Sequence, residues 1–468
     1  MKRKDNMQQQ RARWNQGNLF APAPQPAEGS GTALRDARKA ELFSELERKR
    51  TLTTNIMAEI AEYGNLSRAY LQVTRNGGSP GIDGMTTEDL QTWLGVEIEG
   101  LRQTLTTGTW YPAVVKKVTI PKPGGGERLL GIPTVRDRLV QQAIHQVLER
   151  YFDSSFSEYS YGFRPRRSAH QAIIQASGYV AEGREWVVEI DLEKFFDQIN
   201  HDRLMQRLSK GIGDKRLLQL IHSFLRTGLM SDGIVEQRTS GTPQGGPLSP
   251  LLSNIVLDEL DRELEARGHK FCRYADDCNI YVSSEAAGQR VMESITNFIE
   301  KKLKLKVNRA KSGVRHCSAV KFLGYTILKG GDLRVSEAAT QRLKDKIREA
   351  TKRSRGVRFE TVVEELNRTI IGWCKYFKLA NRWLNMFKDM DGWMRRKLRC
   401  YKLKQCGRTY TVVKMLVGLG ATSRKAWNVA CYSQGWWSMS NKPTTSQVMN
   451  PRWFAQQGLR SIHDEIRR

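Results

Sequence analysis

The sequence predicts an α+β protein in which a mixed strand-and-helix section is followed by a helical, strongly basic section. Between about residues 110 and 335, short β-branched runs alternate with amphipathic stretches, which indicates a sheet built from widely separated strands. After about Ser336 the strand signals fade and apolar residues step by three and four. The formal charge is +27, and Lys301 to Arg408 holds 30 Lys and Arg against 9 Asp and Glu, an excess of 21. A charge of this size points to a polyanionic partner, most commonly nucleic acid, with a solvated basic surface or contact with anionic lipid as the alternatives. Its concentration in one region favours a binding surface over general solubility.

The elements of the first section follow from local pattern. Residues 1–45 are polar and rich in Pro, Ala and Gly, which predicts a flexible basic tail. The remaining predictions are a helix from about Leu42 to Val73, a loop at 76–84, a strand at 114–120, a glycine-rich turn at 122–128, a second strand from Leu129, a helix over Asp137–Arg150, a buried strand at 185–190, a helix from about Asp202, and a helix at 253–268 ended by Gly268.

Two amphipathic helices are predicted in the basic section. Their apolar faces are Val363, Leu366, Ile370, Trp373 and Phe377 in the first, and Phe387, Met390, Met394, Leu398 and Tyr401 in the second. The opposite faces carry Lys and Arg. The last sixty residues are aromatic, and we predict them to be irregular.

Several protein classes are disfavoured by composition. Seven scattered Cys without a CxxC pair argue against a disulfide framework and a zinc module. The basic N-terminus is not followed by an apolar segment, and no apolar run approaches the roughly 18 residues of a membrane span. We therefore expect a soluble, cytoplasmic protein.

Three carboxylates form the candidate catalytic group. Asp276 and Asp277 lie inside the apolar run FCRYADDCNIYV (271–282), at the tip of a predicted hairpin, and Asp191 directly follows the buried strand EWVVEI. Acids at the ends of neighbouring strands would repel one another unless a cation neutralised them. Oxygen ligands of this kind select Mg²⁺ or Mn²⁺, and two such ions can drive phosphoryl transfer. A plain hairpin turn is the alternative for the Asp-Asp pair alone.

Ordered blocks from about residue 55 to the C-terminus resemble those of bacterial group II intron-encoded reverse transcriptases with a maturase domain. The blocks are PGIDGMT (80–86), IPKPGGGERLLGIPTVRDRLVQQAI (120–144), SYGFRPRRSAHQAI (160–173), VVEIDLEKFFDQINHDRL (187–204), GTPQGGPLSPLLSNIVLDELD (241–261), YADD, FLGY (322–325), and GWCKYFKLAN with WMRRKLRCYKLKQ. Without clustered Cys and His near the C-terminus, the chain is similar to endonuclease-lacking members.

The resemblance implies a right-hand polymerase, with fingers and an antiparallel palm sheet, followed by an all-α thumb or maturase domain and a small C-terminal DNA-binding region. The implied boundaries are a tail at 1–45, an N-terminal extension of the fingers at 46–100, fingers and palm at 101–330, the thumb/maturase domain at 336–405 and a nucleic-acid-binding region at 406–468.

The resemblance also assigns roles to single residues. Asp191, Asp276 and Asp277 would be catalytic and hold two Mg²⁺ ions, with Mn²⁺ as a substitute, and the Leu192 carbonyl would add a metal contact. The implied nucleotide contacts are Lys122 and Arg128 at the triphosphate, Phe196 as the aromatic gate against a ribose 2′-hydroxyl, Gln244 in the pocket and Lys311 as proton donor to pyrophosphate. Alternatives stay open: a solvated turn for Lys122 and Arg128, Phe195 as the gate, core packing for either Phe, and a surface lysine for Lys311.

The implied partners are group II intron RNA, an RNA template with a DNA primer, target DNA and dNTPs. RNA contacts are predicted at Lys375, Lys378, Arg382, Arg395, Arg396, Lys397 and Arg399. Trp373, Tyr376 and Tyr401 would be stacking surfaces or core residues. The implied function is an RNA-directed DNA polymerase that assists splicing and copies the intron during retromobility. The alternatives are a splicing cofactor that no longer polymerises and a domesticated relative serving DNA repair or phage defence.

Overall fold

A computed structural model describes residues 55–121, 127–231, 234–236, 238, 240–242 and 245–468. The tail predicted at 1–45 lies outside the described residues. The chain divides into two compact units. The first comprises residues through Ser168, Glu189–Ile280 and Arg290–Gly313, and the second comprises Ala169–Val188, Tyr281–Gln289 and Val314–Arg468.

The helix predicted from about Leu42 to Val73 is instead two helices separated at Ala61 and Glu62, and its residues 42–54 lie outside the described residues. The helices predicted over Asp137–Arg150, from about Asp202 and at 253–268 are present among the α-helices up to residue 298. These α-helices are α1 (Ile56–Ile60), α2 (Tyr63–Asn76), α3 (Asp89–Thr107), α4 (Val135–Phe152), α5 (Ala169–Ala181), α6 (Phe195–Gln198), α7 (His201–Gly211), α8 (Lys215–Arg226), α9 (Ser249–Ala266) and α10 (Glu285–Phe298). Thr134 caps α4 by accepting the N–H of Asp137. Pro250 lies in the first turn of α9, and Gly268, with φ +71°, follows its end as predicted.

Three sheets are present among the described residues. Their strands are β1 (Val115–Pro121), β2 (Glu127–Ile132), β3 (Trp186–Ile190), β4 (Leu229–Ser231), β5 (Ile234–Glu236), β6 (Lys270–Tyr274), β7 (Asp277–Val282), β8 (Gly313–His316), β9 (Tyr325–Ile327) and β10 (Leu333–Val335). The first sheet has the order β2-β1-β4-β5, with antiparallel β1–β2 and β4–β5 pairs and a short parallel β1–β4 pair. The second has the order β6-β7-β3-β8, and β9 and β10 form an antiparallel pair.

Helices dominate from residue 337 onward. They are α11 (Glu337–Ala350), α12 (Phe359–Phe377), α13 (Leu384–Cys406), α14 (Thr409–Gly418), α15 (Ser423–Tyr432), α16 (Gly435–Met439), α17 (Pro443–Val448), α18 (Pro451–Gln456) and α19 (Ile462–Arg467). The predicted apolar faces of α12 and α13 are buried, except that Trp373 is half-buried. None of the helices in the described part of the chain has the length and apolarity of a membrane span.

The prediction of an irregular last sixty residues is wrong, because the helices α14 to α19 fill this region. Four of them have only five or six residues, which is too short for a repeating apolar pattern to be recognised in the sequence. Asn450 and Ser461 cap α18 and α19 with their side chains. Buried Asp391 on α13 also accepts the N–H groups of Ile462 and His463.

Candidate active site

The Asp-Asp pair lies at a two-residue hairpin turn, as the sequence predicted. Ala275 and Asp276 form the turn between β6 and β7, and Asp277 is the first residue of β7. Ala275 has φ +58°, a left-handed conformation that favours glycine. The strand residues Phe271 and Ile280 are fully buried, so the sheet fixes the base of the hairpin.

Asp191 directly follows β3 and is held through its backbone. Its N–H donates to Ser312 Oγ (2.9 Å), and its carbonyl accepts the N–H of Asn308 (2.8 Å). The next residue, Leu192, is buried and forms an antiparallel bridge with Val307. This segment therefore presents the Asp191 side chain from a fixed loop rather than from a free strand end.

The carboxylates act on one another electrostatically. Desolvation by surrounding protein atoms, followed by repulsion from Asp276, Asp191 and Glu189, raises the pKa of Asp277 to about 6. Lys311 partly offsets this repulsion, and its Nζ lies 3.5 Å from Asp191 Oδ2.

The donor set fits a hard divalent cation. Oxygen atoms are the only donors at the three acids, and a cation there would relieve the repulsion that raises the Asp277 pKa. Within the described ranges, however, no three His, Cys, Asp or Glu side chains form a preassembled metal cluster. The three acids thus influence one another electrostatically, but their side chains do not converge on a single metal position.

A cavity of about 610 Å³ lies beside Asp276, within the first unit. This volume is in the range of small-molecule and cofactor sites. Besides Asp276, its lining includes Leu130, Arg138, Phe163, Phe196, Gly245 and Gly246.

The two candidate gate residues have different environments. Phe196 lines the cavity and is half-buried, whereas Phe195 is only 2% exposed and packs in the core. Their ring centroids are 5.3 Å apart. This placement favours Phe196 over Phe195 as the residue that would contact a bound sugar.

Glycines bring the backbone close to the cavity wall. Gly245 has φ +128°, and a Cβ at this position would lie 2.5 Å from the Gly131 carbonyl oxygen. A Cβ at Gly246 would lie 2.4 Å from Gln141 Oε1. Lys122 and Gln244 lie outside the described residues. Arg128 pairs with Ile120 in the β1–β2 ladder, and its side chain also lies outside them.

Arg138 is a cavity residue that sequence reasoning missed. Arg138 is 8% exposed, and its guanidinium donates to the carbonyls of Gly77 (3.2 Å) and Ser79 (2.8 Å). In the described part of the chain, its Nε has no hydrogen-bond partner. The sequence feature that could have indicated it is an arginine directly before the apolar residues Leu139 and Val140, in a helix that is largely buried.

The predicted RNA-contact residues fall into two groups in the second unit. Lys375, Lys378 and Arg382 are exposed around the end of α12, and Arg382 pairs with Asp332. Arg395, Arg396, Lys397 and Arg399 are half-buried on α13.

Aromatic contacts distinguish the α13 residues from one another. The Arg396 guanidinium and the Lys397 ammonium lie 3.9 and 4.8 Å from the Trp437 ring centroid. Arg399 instead donates to the carbonyls of Ser440 and Met449, and burial lowers its pKa to about 10.

The aromatic residues considered for stacking have internal contacts. Tyr401 is 2% exposed and its hydroxyl donates to the Val357 carbonyl. Trp373 packs on Phe377 at 4.6 Å, and the Tyr376 hydroxyl donates to the Leu323 carbonyl. These contacts favour the core interpretation for the three residues.

Two family models match the chain. The model described as reverse transcriptase (RNA-dependent DNA polymerase) covers residues 120–327, and that of the group II intron maturase-specific domain covers residues 340–415. Reverse transcriptases of this family are generally Mg²⁺-dependent.

Curated relatives agree with both models. Protein YkfC of Escherichia coli K12 is 33% identical over 311 residues, which cover 57% of this chain and 82% of that protein. The group II intron-encoded protein LtrA of Lactococcus lactis subsp. cremoris is 31% identical over 321 residues, or 54% of this chain and 52% of LtrA, so the match spans about half of LtrA.

Among solved structures, the partial Cas6-RT-Cas1–Cas2 complex is 25% identical, with 53% of this chain and 43% of that chain covered and a TM-score of 0.35. The two family models and the coverage of YkfC establish the assignment. The chain belongs to the family of group II intron-encoded reverse transcriptases that carry a maturase domain.

Proposed function

We propose that the protein copies RNA into DNA by adding dNTPs to a primer 3′-hydroxyl, and that it binds its intron RNA to assist splicing and retromobility. The observation that carries the polymerase proposal is the placement of Asp276 on a nucleotide-sized cavity, with Asp277 beside it on the hairpin and Asp191, from the loop after β3, close enough to act electrostatically on Asp277. Polymerisation requires the incoming nucleotide beside such carboxylates.

Each residue of the site has a proposed task. Asp191, Asp276 and Asp277 would hold two Mg²⁺ ions, and the chemistry these would supply is activation of the attacking hydroxyl and stabilisation of the leaving oxygen. Phe196 limits the space beside the sugar, and Lys311 carries a positive charge near Asp191. Lys122, Arg128, Gln244 and the Leu192 carbonyl remain proposals from the family resemblance.

The helical second unit is the proposed RNA-binding part. Lys375, Lys378, Arg395, Arg396 and Lys397 supply positive charge that would follow a phosphate backbone. Support comes from the half-buried cations around Trp437, since an indole flanked by cations suits both an exposed base and a phosphate. We propose that residues 406–468 bind target DNA, where Tyr410 and Tyr432 are strongly exposed.

Primer extension on a structured RNA template tests the polymerase proposal. The wild type should produce long cDNA with dNTPs and Mg²⁺, and Asp276→Ala should produce none while still binding the RNA. If both proteins fail to extend the primer while the wild type binds and splices intron RNA, the splicing-cofactor alternative replaces the polymerase proposal. The double variant Arg396→Ala/Lys397→Ala should bind RNA more weakly. Unchanged binding would refute the proposal that these α13 residues contact RNA.

A further inference from the structure

A completely buried ion pair lies behind the catalytic hairpin. Arg273 on β6 and Asp261 on α9 both have side chains that are 0% exposed. The guanidinium donates to both carboxylate oxygens, with Nε–Oδ1 at 2.7 Å and Nη2–Oδ2 at 2.5 Å. Buried pairs of this kind stabilise folding little compared with well-packed apolar residues, so stability alone gives a weak reason for this one.

The third guanidinium nitrogen connects the pair to the hairpin turn. Arg273 Nη1 donates to the carbonyl of Ala275 (2.9 Å) and to Asn254 Oδ1 (3.0 Å). Asn254 in turn donates to the Gly162 carbonyl (2.9 Å). The turn is thus tied through one arginine to helix α9 and to the segment that contains Gly162.

Ala275 is the residue of the hairpin that most needs such a tie. Its φ of +58° is disfavoured for a residue with a Cβ, and without restraint the turn would relax toward other conformations. Its carbonyl group is bonded covalently to the nitrogen of Asp276. A fixed Ala275 carbonyl therefore fixes the peptide plane from which Asp276 extends, and Asp277 follows it.

We infer that Arg273 is a positioning residue that orients the Asp276–Asp277 carboxylates by holding the Ala275 carbonyl, with Asp261 and Asn254 fixing the guanidinium. The inference rests on the proposed polymerase function. It gives the buried Arg273–Asp261 pair a role in placing the reacting carboxylates, in addition to any role in folding.

The test separates positioning from folding by removing both charges together. In Arg273→Met/Asp261→Leu, no buried charge is left unpaired, so the protein should fold with a thermal midpoint near that of the wild type. We expect at least a tenfold weaker affinity for Mn²⁺, measured by electron paramagnetic resonance with primer–template bound. The rate of single-nucleotide incorporation should fall about 100-fold, with unchanged primer–template affinity.

Two further variants complete the design. Arg273→Lys retains a charge for Asp261 but cannot contact that carboxylate and the Ala275 carbonyl with separate nitrogens, so it should also lose Mn²⁺ affinity. Arg216→Met is the control for general destabilisation, because it removes the partner of buried Asp214 and a bond to the Thr106 carbonyl in the same unit. It should lower the thermal midpoint and leave Mn²⁺ affinity unchanged.

Wild-type Mn²⁺ affinity and rate in the folded double variant would overturn the inference. Loss of cooperative unfolding in both Arg273 variants would also overturn it, since the pair would then be a requirement for folding. An inactive wild type would instead contradict the proposed function itself.

Discussion

Replacing Gly162 with alanine should displace the β6–β7 hairpin that carries the proposed catalytic residues Asp276 and Asp277. A Cβ at this position would lie 2.2 Å from the Ala275 nitrogen and 2.9 Å from the Tyr274 carbonyl carbon. Ordinary contacts of a Cβ begin at 3.4 Å, so the two backbones must separate by about 1.2 Å. Both contacts are with backbone atoms, so no side chain can rotate away. A displacement of about 1 Å at a reacting centre costs on the order of 100-fold in rate.

The assay is single-turnover incorporation of one dNTP on an RNA template at saturating Mg²⁺. Gly162→Ala should lower the maximal rate by about 100-fold, with unchanged affinity for primer–template. Gly95→Ala is the matched control, because Gly95 lies in helix α3 of the same unit and a Cβ there meets no atom within 4 Å. This control should retain the wild-type rate. A wild-type rate for Gly162→Ala would refute the argument that this contact sets the position of the hairpin.

Three further predictions test separate parts of the account. Gly245→Ala should raise the dNTP concentration for half-maximal rate at least tenfold, because Gly245 has φ +128° and an added Cβ would lie 2.5 Å from the Gly131 carbonyl oxygen. An unchanged concentration would contradict the argument that the backbone must approach closely here. Phe196→Ala should increase ribonucleotide incorporation relative to dNTPs, because Phe196 lines the cavity. Phe195→Ala should cost about 3–5 kcal/mol of stability and keep the preference for dNTPs, because Phe195 is a core residue. Loss of that preference in Phe195→Ala, but not in Phe196→Ala, would make Phe195 the gate. Asp391→Ala should destabilise the second unit by about 2 kcal/mol, since the N–H groups of Ile462 and His463 lose their acceptor. Thermal unfolding measures this loss, and exposed Asp389→Ala should leave the midpoint unchanged.

The β6–β7 hairpin and the position of its acids could be predicted from the sequence because the signal is local. Apolar runs with acids at their ends mark both the strands and the carboxylates. Asp191 follows β3, Asp276 lies in the hairpin turn and Asp277 begins β7. The long helices α12 and α13 were predictable for the same reason. Their apolar residues repeat over several turns.

Contacts between distant segments could not be predicted. The approach of Gly162 to Ala275 and the bond from Arg273 to Asp261 depend on how separate elements pack, and no local pattern records them. The C-terminal helices were missed for a related reason. Helix α19 depends on Asp391, which lies seventy residues earlier in the chain.

The central claim is that Asp191 and the hairpin acids form one catalytic site, although they come from different segments. The most direct test is the single-turnover rate of dNTP incorporation on an RNA template by Asp191→Asn, which preserves shape and removes only the charge. The account predicts a loss of at least about 1,000-fold, with primer–template affinity unchanged. A rate within tenfold of the wild type would contradict the account, because synthesis would then not require the carboxylate at Asp191.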